Sequence, residues 1–429
     1  MQKIYKVLKV AVAASLLSGV VLCGGCARDG ILPVEEPTVS DAVGPDYVSV
    51  ESALAALARF QADDPTTRSS DVPAVSHVDV LMRSEVSPAT RTSGTAADAP
   101  LCYIAQFEGG GYAVLGADAK QGGVIAYVPQ GRLTAADMAA AKAATDRGED
   151  YETPTYIHAC MVAYLEAAAD GKVEREANDD AATRIDIVGG FPMEPFDPRL
   201  LKTEWHQWYP YNDSCPFING ERAPVGCVAL ALGQILAYNK QMFDVGPEVI
   251  YRPGIQENSY RPAWSIITKA IQTPTPPANC YYELGRYLHN IGNAVSITYG
   301  YPQTNAEDIY KVINFIKEVV GYKNVSLRTA RFADIKKMIQ NHNPVYARGI
   351  ANIDDEKHHI EKTGGHAWVI DYYDTKEEIF TTPDGYVKFD YNYVHCRYGY
   401  GGDYDGWYLL EPRSTVESYN LQQIIYYTL

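Results

Sequence analysis

The chain has 429 residues, enough for two or three domains, and its 46% hydrophobic and 21% charged residues describe an ordinary globular protein. The net charge of −16 argues against nucleic acid, whose phosphates need a basic surface, and against electrostatic binding to anionic lipid. Beyond Cys23 and Cys26, the six remaining cysteines include no CxxC pair and no Cys/His metal spacing, so a zinc site is not expected, and no organic cofactor is implied.

Residues 1–25 read as a targeting segment that stands outside the fold. Lys3, Lys6 and Lys9 form a basic start, and VAVAASLLSGVVL is an apolar run too short for a permanent membrane span. The run ends in LCGGCARDG, where Gly24 and Gly25 before Cys26 resemble a bacterial lipobox. Cys26 is then the lipidated residue, and Cys23, behind bulky Val21 and Leu22, is a poorer acceptor. The expectation is an exported bacterial lipoprotein of the outer membrane or cell surface, touching the membrane only through its lipid; the alternative is a released, secreted protein. Export permits disulfides, but the scatter of Cys102, Cys160, Cys215, Cys227, Cys280 and Cys396 specifies none.

Residues 26–47, with Pro33, Pro37 and Pro45, read as a tether. VSVESALAALARFQ (48–61) has a helical period with Ser49 as N-cap, and 62–100 reads as loop. CYIAQFEGGGYAVLGADAKQGGVIAYVPQ predicts three strands, with the EGGGY glycines serving a hairpin because no helix follows to make a phosphate site. These elements make a first domain over 48–150. Residues 151–190 form a linker with one helix around Tyr156–Ala169 and a polar tail open to proteolysis. In 191–429, which holds most of the 33 tyrosines, helices are predicted at 227–240 and near 309–320. Strands follow at PVYARGI, HAWVIDYYD, VKFDYNYV and GWYLLE. The pattern is α+β, helices first and an antiparallel sheet after.

Within RAPVGCVALALGQILAYN, Pro224 and Gly226 make a turn, and Val228, Ala231, Leu232, Ile235 and Leu236 recur at helical spacing. Cys227 therefore opens a helix, where the dipole favours a thiolate and lowers its pKa. The competing reading is a small apolar core residue. A nucleophilic thiol needs a base, and His366 in TGGHAWVIDYYD follows two glycines at the start of an apolar strand; a satisfied structural histidine is the alternative there. His358 and His359 lie in a charged loop and read as solvated.

These two blocks resemble the catalytic blocks of the streptopain family of bacterial cysteine peptidases, in the papain-like clan. LLKTEWHQWYPYNDSCP resembles that family's mature N-terminal block, YGYGGDYDGWYLL its C-terminal block, and YIAQFEGGGYAVLGADAKQGGVIAYVPQGRL its pro-segment. The resemblance implies a papain-like α+β peptidase domain behind an α+β pro-domain, made as a zymogen that hydrolyses protein or peptide substrates and is inhibited by its own pro-segment. It implies Cys227 as nucleophile, His366 as its imidazole partner and Gln207 as oxyanion donor. Gly365, Tyr299 and Thr304 would line the substrate cleft. One departure stands out: where the family has Asn-Trp to orient and shield the histidine, this chain has Arg397 and Tyr398. Tyrosine can shield, but arginine cannot accept a hydrogen bond from imidazole. With Arg397 at the orienting position, its charge would oppose the imidazolium, and Arg397→Asn would raise turnover; with Arg397 turned to solvent and a neighbouring carbonyl holding His366, it would change nothing. Two other readings remain open, a catalytically impaired surface binding module and an amidase of cell-wall peptides.

Overall fold

The computed structural model describes residues 46–62, 72–86, 99–147, 153–171, 199–252, 255–306, 308–355, 360–382, 385–410 and 421–429. The targeting segment, Cys26, the polar tail at 172–198, His358 and His359 lie outside the described residues.

Helix α1 (Val50–Ala62) forms where the period predicts it: Ser49 Oγ accepts the Ser52 N–H at 3.3 Å, and Ala53, Leu57 and Phe60 share a buried stripe. The stretch expected as loop holds strand β1 (Val75–Met82) and a one-turn helix α2 (Arg83–Val86). β1 is an outer strand, mostly half-buried, with a bulge between Val75 and His77 that breaks its alternation. Strands β2 (Pro100–Phe107), β3 (Tyr112–Gly116) and β4 (Val124–Val128) appear as expected, with Phe107 N–H donating to Gly111 O across the EGGGY turn. Helix α3 (Ala135–Asp146) is additional to the expectation; its alanine-rich run shows little contrast between faces, but a Thr134–Asp137 capping box starts it. Helix α4 (Thr153–Ala169) is the one expected around Tyr156–Ala169.

The second half opens with a small hairpin, β5 (Phe217–Ile218) and β6 (Glu221–Arg222), and then helix α5 (Cys227–Phe243). A second hairpin, β7 (Ile250–Arg252) and β8 (Ile255–Tyr260), precedes helices α6 (Trp264–Ala270), α7 (Tyr281–Ala294) and α8 (Ile309–Asn314). α8 widens into a π turn over Phe315–Val320. Strand β9 (Lys323–Thr329) and helix α9 (Phe332–Gln340) lead into β10 (Val345–Asp355), β11 (Ile360–Thr382), β12 (Gly385–Arg397), β13 (Gly406–Leu409) and β14 (Leu421–Thr428). Helices α6, α7 and α9 and strands β9 and β14 go beyond the expectation.

Among the described residues ten strands form one antiparallel sheet in the order β1-β2-β3-β4-β13-β12-β11-β10-β14-β9. The α+β class holds, but the expected order of helices first and sheet after does not, because strands from both halves of the chain share this sheet. Period-two alternation gives the early strands two buried faces: Tyr103, Ala105 and Phe107 pack with Leu57 and Phe60 of α1, while Cys102 and Ile104 turn into the main core with α3, α4 and α5. The halves meet where Trp407 and Tyr408 pair with Tyr127 and Ala126. Gly406 allows this close approach, since a Cβ there would sit 2.4 Å from Tyr127 O. Gly406→Ala is expected to part β4 from β13, seen as faster cleavage of β1–β4 by an added protease; an unchanged digestion rate would mean that the strand pairing does not hold the halves together.

Candidate active site

Gly226 ends the turn before α5 at φ +87°, a conformation open to glycine, and a Cβ there would lie 3.0 Å from Thr304 Cγ2. Its carbonyl accepts the Leu230 N–H at 3.1 Å, which makes Cys227 the first helical residue. The Cys227 side chain is half-buried, and its sulfur accepts hydrogen bonds from the backbone N–H groups of Ala367, Val228 and Cys227 itself. The helix start was expected to lower the thiol pKa; the structure reverses that sign. Burial pushes the thiol up, and the three N–H groups recover only part of the shift.

His366 lies on β11 opposite Gly349 of β10 and is 2% exposed. Its Nε2 is 2.8 Å from the backbone carbonyl of Tyr398. A carbonyl only accepts, so Nε2 carries the proton and the neutral ring presents a lone pair at Nδ1. Nδ1 has no hydrogen-bond partner among the described residues. The rings of Trp368, Tyr398 and Tyr400 stand with centroids 6.2, 6.0 and 5.7 Å from the imidazole. This burial pulls the His366 pKa down to about 4, against a smaller opposing effect of the Tyr398 carbonyl. The residue after His366 is the one whose N–H reaches the Cys227 sulfur, so the two blocks meet.

Gln207 is half-buried, and its backbone carbonyl accepts the Val225 N–H at 2.9 Å, which fixes it beside the turn that leads into Cys227. Thr304 donates to Pro224 O at 2.9 Å and packs on Gly226, so it borders the same turn. Gly365 is exposed on β11 next to His366, opposite Ile350. Tyr299 turns its hydroxyl onto the His289 carbonyl of α7 at 3.2 Å, which makes it a brace for the 299–304 loop.

Arg397 corrects the expectation most sharply. It is 4% exposed, so it does not face solvent, and it does not orient His366 either; of the second alternative only the carbonyl that holds His366 is found, that of Tyr398. Alternation along β12 separates it from its neighbour, with Tyr398 beside His366 and Arg397 sharing the opposite side with His395. Arg397 Nε donates to Asp371 Oδ2 at 2.7 Å, and His395 Nδ1 meets Asp371 Oδ1 at 2.6 Å. The remaining nitrogens of Arg397 donate to Leu201 O at 2.6 Å and Thr203 O at 3.0 Å, and Asp405 Oδ2 lies 3.6 Å away. Burial resists ionisation of Asp371, but Arg397 and His395 overcome it and hold the carboxyl well below the usual range. Asp405, the weaker partner of the same guanidinium, is pushed up to about 7 by burial. The reading of the sequence missed Asp371, His395 and Asp405; the available signal was an aspartate inside the otherwise apolar run HAWVIDYY.

Residues 205–408 match the model of the Peptidase C10 family. Streptopain of Streptococcus pyogenes is 22% identical over 347 residues, an alignment covering 72% of this chain and 73% of streptopain. Among solved structures, a fragment of prointerpain A from Prevotella intermedia is similar at 17% identity and TM-score 0.48, over 76% of this chain and 94% of the fragment. The active interpain A cysteine protease of the same organism is similar at 20% identity and TM-score 0.37, over 53% of this chain and 92% of that protein. The matched stretch contains both the Cys227 and the His366 block, so the part of the chain that carries both is similar to the Peptidase C10 family.

Proposed function

We propose that the chain is a cysteine endopeptidase made as a zymogen, with Cys227 as nucleophile, His366 as general base and acid, and Gln207 as oxyanion donor. The observation that carries the reading is the His366 ring: Nε2–H is committed to the Tyr398 carbonyl, and the bare Nδ1 belongs to the residue whose neighbour's N–H holds the Cys227 sulfur. Nδ1 takes the thiol proton, and the thiolate attacks the carbonyl carbon of the scissile peptide. The tetrahedral oxyanion receives hydrogen bonds from the Gln207 amide and the Cys227 backbone N–H. The imidazolium then protonates the leaving amine as the C–N bond breaks, which leaves a thioester on Cys227. Water, deprotonated by Nδ1, attacks the thioester, releases the acid and restores the thiol. Gly365 and Thr304 border the path of the substrate backbone. The binding-module alternative rested on Arg397 displacing an orienting group, and a carbonyl does that work here.

In this reading residues 48–150 form the pro-domain and 191–429 the peptidase domain, and the early strands act from the β4–β13 junction. Gln130 Nε2 donates to Glu204 at 3.3 Å, and His158 packs on Tyr404 of the loop that follows Tyr398. The described arrangement has a raised thiol and a depressed imidazole, so both groups are neutral near pH 7, which suits a latent state. Cys26 would anchor the exported chain by a lipid, which metabolic labelling with a radioactive fatty acid tests through the Cys26→Ala variant.

Cys227→Ala is the direct test. It should abolish hydrolysis of casein while the chain stays folded and full length; full activity in the variant would sink the assignment. Iodoacetamide should alkylate Cys227 slowly at pH 6 to 7 in the intact chain and at least about tenfold faster after cleavage between Gly171 and Arg199, because exposing the site to water relieves the burial that keeps thiol and imidazole neutral. Equal rates before and after cleavage would remove the zymogen part of the reading.

A further inference from the structure

The segment that enters the peptidase region is stapled at nearly every step. Leu200 N–H donates to Asp371 O at 3.1 Å, and Leu201 N–H to Asp371 Oδ2 at 3.4 Å. The carbonyls of Leu201 and Thr203 accept from Arg397, and Thr203 Oγ1 donates to Gln234 of α5 at 2.5 Å. Trp205 O accepts the Gly401 N–H at 3.2 Å, His206 bridges to Tyr400, and Gln207 O takes the Val225 N–H. The other staple runs through Asp405. Its Oδ1 accepts the Tyr398 N–H at 2.7 Å, while its Oδ2 faces the Arg397 guanidinium. Tyr398 is also the residue whose carbonyl holds His366 Nε2.

Resting on the peptidase reading, we infer that Arg397 is a positioning residue that ties together the two walls of the active site. Through the carbonyls of Leu201 and Thr203 it holds the segment that ends at Gln207; through Asp405 and the Tyr398 peptide it holds the carbonyl that aims His366. One planar cation with donors pointing three ways can do this, because Nε, Nη1 and Nη2 lie in a fixed fork. Lysine cannot: it would keep a charge opposite Asp371 but loses the geometry that reaches both carbonyls. A glutamine would keep a short polar contact and lose the charge. The fork sits behind the strand, away from the reacting atoms, so its effect on chemistry passes entirely through Gln207 and His366.

The test uses the full chain after maturation, comparing Arg397→Lys and Arg397→Gln with the parent. Titration with a thiol-reactive epoxide counts competent sites, so that turnover is expressed per site. Misplacement by about 1 Å of either group costs up to about 100-fold in turnover. Arg397→Gln should therefore lose about 30- to 100-fold in kcat per titrated site with KM within about threefold, and Arg397→Lys about 5- to 20-fold. The acid limb of the Cys227 alkylation profile should shift in both, because a loosened Tyr398 carbonyl changes the proton affinity of His366. A residue that only stabilises the fold would lower the number of titratable sites and leave kcat per site and the profile unchanged. That result, or an Arg397→Lys protein that matches the parent on both measures, overturns the inference. If Arg397→Gln does not fold, Arg397→Lys decides alone. Should Cys227→Ala retain activity, the peptidase reading falls; should activity need Cys227 but not the Arg397 fork, only the positioning role falls.

Discussion

His366→Ala is expected to lower kcat by at least about 1,000-fold, since it removes in one step the acceptor for the thiol proton and the donor for the leaving amine. The loss should be that large because nothing nearby replaces it. The thiol of Cys227 is already pushed up by burial, so without Nδ1 almost no thiolate forms near pH 7. The aromatic rings around the site bring no general base, and Asp371 is committed to Arg397 and His395 on the other side of the strand. His366→Ala should still fold, because the ring gives up one hydrogen bond to a carbonyl. The uncleaved chain should also show an unusual pH dependence. A buried imidazole that titrates near 4 rather than 6.5 stays neutral down to about pH 4, so the NMR titration of the His366 ring in uncleaved Cys227→Ala should be centred there. More than a tenth of the parental turnover in His366→Ala, or a ring titration in the uncleaved chain centred near pH 6.5, would contradict the role drawn for this ring.

The Cys227 and His366 blocks were legible in the sequence because each is local. A Pro-Gly turn before a helical period locates Cys227, and a Gly-Gly pair before an apolar run locates His366. Helix α7 was missed although Leu284, Leu288 and Ile291 stand at helical spacing, because tyrosines and glycines between them blur the pattern. β1 hid behind a bulge, and β9 and β14 pair with partners far away in the chain. Arg397 was misread for a related reason. It stands where the resembled family has its orienting Asn, next to Tyr398, which suggested a role at His366, yet neighbours on a strand point to opposite faces. Its real partner, Asp371, stands at the irregularity in the β11–β12 register between Ile370 and Tyr372, which no linear pattern announces. The thiol pKa failed likewise: a helix start is visible in sequence, and the burial that outweighs it is not.

Asp371→Ala should destabilise the chain by about 3–5 kcal/mol, the cost of leaving a buried cation without its counter-ion. Asp371 is fully buried, and its two oxygens serve Arg397 and His395 at once. Its removal also frees the Leu201 N–H it accepts. The measurement is urea denaturation in a Cys227→Ala background, where self-digestion cannot intervene. Acid dependence follows from the sign of the shift. The folded pKa of Asp371 lies below its unfolded value near 4, so its contribution is complete above about pH 4 and lost as pH falls below that. Asp405 runs the opposite way: raised to about 7, it favours the fold below about pH 4, and that advantage fades as pH rises toward 7. Asp371→Ala should therefore flatten the loss of stability below pH 4 and leave the slope between 4 and 7 in place. The pair can be separated from its surroundings by a double variant. Asp371→Leu together with Arg397→Leu removes both charges, so it should cost less than the sum of the single changes, because neither partner is left stranded in the core. Strict additivity, or an Asp371→Ala protein within about 1 kcal/mol of the parent, would mean that water reaches this cluster and that the carboxylate is not what holds Arg397 in place.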